Sequence, residues 1–157
     1  MKKIPTLDYL KKLVSGEEVE GFVTYQQYPT AISKTLKMRI VEIAYGEAKV
    51  QIDADVVIHG NQQGTVHGGL MCELADAAIG TAHSTIVKAD ESFTSLELKI
   101  NFFRPAWKDR LIAHAVPIQQ GRTITVYRCD ISRSDGKTVA SVVSTVMTLV
   151  GERAKGR

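Results

Sequence analysis

The 157-residue chain is predicted to fold as one α+β domain, with a single long helix lying against a mostly antiparallel sheet. Three observations predict this. Residues 66–88 carry Leu70, Met71, Leu74, Ala75, Ala78, Ile79 and Ala82 at helical spacing, and the run is rich enough in alanine to be wrapped closely. Residues 94–149 hold four strand-like runs joined by short turns, which favours antiparallel pairing. Residues 36–45 and 47–54 form two further strands around Gly46.

Taken in order, residues 4–15 read as a short amphipathic helix. Thr6 caps it, Leu7, Leu10 and Val14 share a face, and Gly16 ends it. Residues 17–35 read as loop, with Pro29 as a breaker. In 47–54, Ala48, Val50, Ile52 and Ala54 alternate with Lys49, Gln51 and Asp53, the pattern of a half-buried strand. The central helix spans 66–88 and would be about 35 Å long. In 94–103, Leu96, Leu98, Ile100 and Phe102 fall on one face, and Arg104-Pro105 ends the run. Strands at 110–118, 122–132 and 138–149 follow, separated by turn signals at Gln120-Gly121 and Ser134-Asp135-Gly136. The tail, 151–157, is expected to be disordered, and neither repeat nor linker is evident.

Composition is that of an ordinary globular protein, 44% hydrophobic and 24% charged. The net charge of +3 comes without any run of five Lys or Arg, so neither a nucleic-acid arm nor a polybasic membrane anchor is expected. Two cysteines, Cys72 and Cys129, are too few for a disulfide scaffold. Asp8, Lys11 and Lys12 interrupt the apolar core that a secretory signal needs, and no apolar run approaches transmembrane length, so a cytoplasmic location is expected.

The chemistry concentrates in Gly64–Ser84. Gly68-Gly69 is either a plain loop-to-helix turn or a bare helix N-terminus. In the second case its N–H groups, with the helix dipole, can hold an oxyanion. Asp76 sits mid-helix among alanines. Either it faces water, or it serves as a general base or nucleophile. Glu73, Asp76, Gly80 and His83 lie along one stripe, which faces either solvent or a partner subunit. Gly68 and Asp76 stand eight residues apart, about 12 Å along a helix, too far to meet on one carbonyl carbon. If both are catalytic, they come from different chains. Two antiparallel helices with their midpoint at Cys72 would bring them together in a two-fold dimer. His67 reads as a structural hydrogen-bonder or as a ligand or base. Cys72 reads as a small core or interface residue. The histidines and cysteines show no metal-binding spacing, so no metal is expected, and no G-x-S-x-G, P-loop or G-x-G-x-x-G motif occurs.

The run Asn61…Gly64-Thr65-Val66-His67-Gly68-Gly69, then Leu74-Ala75-Asp76-Ala77-Ala78 and Gly80, resembles the signature of the hotdog-fold acyl-CoA thioesterases, in the phenylacetate-pathway (PaaI-like) and human THEM-like branch. Ser95–Ala106 is similar to that family's third strand, and Asp135–Ala140 to its last hairpin. The resemblance covers about 36–149, leaving 1–35 as an N-terminal helix and loop. It implies a central helix wrapped by an antiparallel sheet, and dimers, often paired into tetramers, with sites at the interface. It also implies hydrolysis of acyl-CoA to free acid and CoA, with no cofactor beyond the CoA of the substrate.

By the same resemblance, the Gly68 N–H polarises the thioester carbonyl, and Asp76 of the other subunit activates water or attacks directly. Asn61 lies near the thioester, and Ser95 assists the water or the carboxylate. Strand parity sets Ser95 opposite Leu96 and Leu98, so it needs a bulge to reach Asp76, with Thr94 as the fallback. His67, Gly69, Thr94, Arg133 and Lys137 are the candidate substrate-binding residues, and Lys108 and Arg122 are further candidates for CoA phosphates. Two rival readings share the fold: a non-catalytic acyl-CoA-binding or sensor protein, and a hydratase or dehydratase. Asp76 argues against the first. The second uses a His-plus-carboxylate motif that this chain does not show.

Overall fold

The structure, a computed structural model, describes residues 1–156. Its elements in chain order are β1 (Lys2–Lys3), α1 (Thr6–Ser15), β2 (Phe22–Val23), α2 (Ala31–Leu36), β3 (Arg39–Ala44), β4 (Glu47–Ala54), α3 (Val56–His59), α4 (Gly68–Ser84), β5 (Ser92–Phe102), β6 (Asp109–Gln120), β7 (Ile124–Ser132) and β8 (Thr138–Leu149). A 3₁₀ turn, Gly151–Ala154, follows β8 where disorder was expected; Arg157 of that tail lies outside the described residues.

Strands β3 to β8 form one antiparallel six-stranded sheet in the order β3-β4-β6-β7-β8-β5. Helix α4 packs on one face of it. Leu74, Ala75, Ala78, Ile79 and Ala82 are fully buried, facing a floor that includes Val50, Ile52, Leu111, Ala113, Ile131 and Val142. Three of those five helix residues are alanines, so the helix backbone sits low on the sheet. Strand β5, last in the order, pairs with β8 and leaves its other edge unpaired among the described residues.

Several boundaries differ from expectation, each for a local reason. Helix α4 has 17 residues, a length of about 26 Å, because both ends are pinned. At the front, the Val66 N–H is drawn to the Ala106 carbonyl and His67 caps the helix. At the back, the Ser84 and Thr85 hydroxyls donate to the Thr81 and Ala82 carbonyls, and Thr85 Oγ1 also accepts the Gly46 N–H. Thr6 does not cap α1; it is the first helical residue, and its hydroxyl bonds Thr24 instead. The stretch read as loop, 17–35, contains β2 and most of α2, a six-residue helix capped by the Thr30 hydroxyl at the Ser33 N–H. Strand β3 starts only at Arg39 because Lys37 takes a left-handed conformation, φ 56°. Helix α3, missed from sequence, is capped by Asp55.

His83 belongs to the core and not to the polar stripe. It is completely buried between Tyr127 Oη, 3.1 Å from Nδ1, and Thr148 Oγ1, 3.0 Å from Nε2. Burial lowers its pKa to about 4. Between pH 6.5 and 4 the unfolded chain therefore binds a proton that the folded chain refuses, and stability falls as pH falls through that window. The expected loss is about 3 kcal/mol. Urea titrations from pH 7 to pH 4 test this against a His83→Gln variant, whose stability should decline more gently. Parallel curves for the two proteins would contradict it.

Candidate active site

The site is built at the start and along the open side of α4. His67 is the cap: its Nδ1 accepts the Gly69 N–H at 2.8 Å, which places the ring proton on Nε2. The Leu70 N–H turns back to the His67 carbonyl at 3.0 Å. Of the first three helical amides, only that of Gly68 is left without an acceptor among the described residues. The helix end thus offers a single aimed donor carrying the positive end of the dipole. Gly69, a candidate for substrate binding, has its N–H already taken by His67.

A neighbouring ring crowds position 68. A Cβ there would stand 2.8 Å from Cζ of Phe102, whose half-exposed ring leans over the amide. Asn61 ties the approach loop together. Its Oδ1 accepts the N–H groups of Gln63 and Thr65, and its Nδ2 donates to Thr65 Oγ1 at 3.0 Å. Asn61, Gly68, Phe102 and Arg104 line one groove of about 440 Å³.

Two turns along α4, the exposed Asp76 carboxylate accepts a hydrogen bond from Ser95 Oγ at 3.0 Å. This contact exists because β5 carries the bulge that strand parity required. Ser95 pairs with Val146 and Glu97 with Thr145, so Leu96 is an extra residue between them. The insertion puts Phe93 and Ser95 on the helix side before the bulge, and Leu98 and Ile100 there after it. Leu96, expected to share the inner face with Leu98, is 51% exposed. Thr94 lies on the other face of the strand and lines neither cavity beside Asp76. Glu73, one turn before Asp76, lines both of those cavities. Its carboxyl is shifted upward by burial and, less, by the negative charge of Asp76.

The basic candidates divide. Arg133 is committed to its own turn, with Nη2 on Asp135 at 2.7 Å and Nη1 donating to the Pro105 carbonyl. That guanidinium holds the Asp135 carboxyl down at about 2. Lys137 is exposed and makes no ion pair among the described residues, Lys108 reaches Asp55 at 3.6 Å, and Arg122 is exposed in the β6–β7 turn. Phe102 and Arg104, which line the groove at Gly68, were not among the sequence candidates, and Glu73 was placed only on the stripe with Asp76. Only the adjacency of Phe102 to Arg104-Pro105 hinted at a strand end near the helix start. Burial raises both thiols, Cys129 to about 12, so neither is a ready thiolate. Among the described residues, no cluster of three or more His, Cys, Asp or Glu groups converges and no helix is long and apolar enough to cross a membrane.

An amide donor at a helix start and a hydroxyl-tethered carboxylate on that helix are parts suited to acyl transfer to water. The chain belongs to the thioesterase superfamily, whose sequence model matches residues 63–140, and it is a thioester hydrolase with the hotdog fold. A Deinococcus radiodurans protein named "Putative esterase" is 35% identical over 124 residues, covering 76% of this chain and 81% of that protein. A point mutant of the phenylacetic acid degradation protein PaaI from Thermus thermophilus is 29% identical, with TM-score 0.69 over 75% of this chain and 98% of the other. The E. coli PaaI protein from the phenylacetic acid degradation operon is 27% identical, with TM-score 0.71 over 78% and 86%.

A hydrogen bond to a carboxylate contributes about 1.5–3 kcal/mol. Ser95→Ala is therefore expected to lower kcat for thioester hydrolysis about tenfold or more, while Thr94→Val stays within about twofold of the parent. Steady-state thiol release from the two variants decides the matter. Equal losses would remove Ser95 from the site.

Proposed function

We propose that the protein is a cytoplasmic acyl-CoA thioesterase that works as a homodimer, with dimers pairing further into tetramers. Each reaction centre would combine the Gly68 N–H of one subunit with Asp76 of the other. The observation that carries this reading is the Asp76 carboxylate, exposed mid-helix, held by Ser95 and by no cation among the described residues. Beside it run the unpaired edge of β5 and exposed apolar residues Leu96 and Phe102, which a facing copy would cover.

In this reading the acyl carbonyl oxygen points at the Gly68 N–H, where the helix dipole stabilises charge as the carbonyl carbon becomes tetrahedral. Asp76 either takes a proton from the attacking water or attacks to form an acyl anhydride that water then opens. In both routes the carbon–sulfur bond breaks and CoA leaves as a thiol. Ser95 keeps the carboxylate aimed. His67 would support the reaction indirectly, by consuming the Gly69 N–H so that the helix start presents one donor. Asn61 holds the loop that leads into the helix, and the exposed cations Lys137 and Arg104, the latter also donating to the Thr138 carbonyl, would meet phosphate.

Asp76→Asn is expected to reduce kcat at least about 10²-fold, with the dimer intact by light scattering. Free thiol release from a panel of acyl-CoAs measures it. Near-full turnover by that variant would remove Asp76 from the mechanism. Tight acyl-CoA binding by the parent protein without thiol release would point instead to a sensor.

A further inference from the structure

Two cavities adjoin each other along α4, and Asp76 lines one of them. One, of about 220 Å³, opens at Glu73, Asp76 and Phe93. The other, of about 280 Å³, lies deeper, with Leu13, Met38, Ile40 and Val50 among its walls. Tyr28, Thr30, Ser33, Ala77 and Thr81 line both and make up their common border, the neck. Ala77 directly follows Asp76, and Thr81 lies one helical turn further along the same face. The roof over the neck is the segment from Gln26 to Ser33, which precedes the stretch matching the thioesterase superfamily.

That roof is fastened. Tyr28 Oη and Ser84 Oγ are 2.7 Å apart, which ties the segment to the far end of α4. Thr30 caps α2, and the Met38 N–H donates to the Ser33 carbonyl, which leads the chain from the roof into the cavity wall. The one charged residue on the deep cavity, Arg39, turns its guanidinium outward to Asp53 at 2.9 Å. The deep end therefore offers apolar side chains and no available charge. Its volume falls just below the usual span of small-molecule pockets, roughly 300–1,000 Å³.

Building on the thioesterase reading, we propose that residues 26–40 and the Ala77–Thr81 face of α4 form the acyl site. The geometry points to an uncharged, apolar acyl group of medium size, a medium-length alkyl chain or a single ring. With its thioester carbon at Asp76, the acyl group passes Ala77 and Thr81 through the neck and ends against Met38 and Ile40. A charged acyl group would lose its hydration there with no counter-charge to meet it. A long fatty chain would outrun the cavity.

The test is the specificity ratio kcat/KM across acetyl-, octanoyl-, benzoyl- and palmitoyl-CoA, read by thiol release. A ratio does not change with the fraction of protein that is folded. The parent enzyme should prefer octanoyl- or benzoyl-CoA. Ala77→Leu narrows the neck and should lower the octanoyl-to-acetyl ratio at least about tenfold, since the methylenes it excludes lose their burial. Met38→Ala deepens the far end and should raise the palmitoyl-to-octanoyl ratio. Ratios unchanged in both variants, or a parent that favours acetyl- or palmitoyl-CoA, would overturn this assignment and leave the thioesterase reading standing. A parent that cleaves no acyl-CoA would overturn both.

Discussion

Helix α4 is a rigid rod that holds the Gly68 amide and the Asp76 carboxylate about 12 Å apart, and the proposed chemistry follows from that separation. An oxyanion donor and a base or nucleophile must converge within about 3 Å of one reacting carbonyl group. Fixed on one helix, the two cannot. Two antiparallel copies of α4 can, pivoting near Cys72, and the symmetry then creates two equivalent centres. The alanine-rich inner face serves the same end. By sinking the helix onto the sheet, it leaves the side bearing Cys72, Glu73 and Asp76 as an open cleft beside β5.

The rest of the site adjusts aim rather than supplying new groups. His67 takes up the Gly69 N–H, Asn61 staples the loop, and the Phe102 ring crowds the space over Gly68. The bulge at Leu96 is the most consequential of these devices, because a regular strand would have turned Ser95 away from the helix. A bulge at a site that must re-aim one side chain is a common solution in edge strands.

The fold was largely legible because its signals are periodic. Helical spacing from Leu70 to Ala82 and strict alternation in β4 required only the local pattern. The candidate site was marked out by the Gly68-Gly69 pair and the mid-helix Asp76, for each of which the residues alone left a structural and a catalytic reading side by side. Legibility failed where a long-range partner decided the outcome. The face of Leu96 depends on pairing with β8, and His83 looked like part of a polar stripe until Tyr127 and Thr148 satisfied both ring nitrogens. The Arg133 guanidinium is tied to Asp135, two residues on, and to the Pro105 carbonyl, of which only the second is distant in sequence. The segment before β3 was read poorly for a related reason. Residues 17–35 carry little periodicity, and their order comes from fastening to α4 through contacts such as Tyr28 with Ser84.

Subunit complementation tests the central claim most directly. Asp76→Asn removes the carboxylate. Gly68→Pro removes the amide at the first helical position, where proline is tolerated, after a residue already extended at φ −65° and ψ 134°. Combining it with Phe102→Ala clears the ring that proline would strike. Each variant alone should be nearly inactive. Heterodimers purified through two different tags should recover about half the parent activity, because one of the two symmetric centres regains both groups. Heterodimers as inactive as either parent variant would show that amide and carboxylate do not meet across subunits.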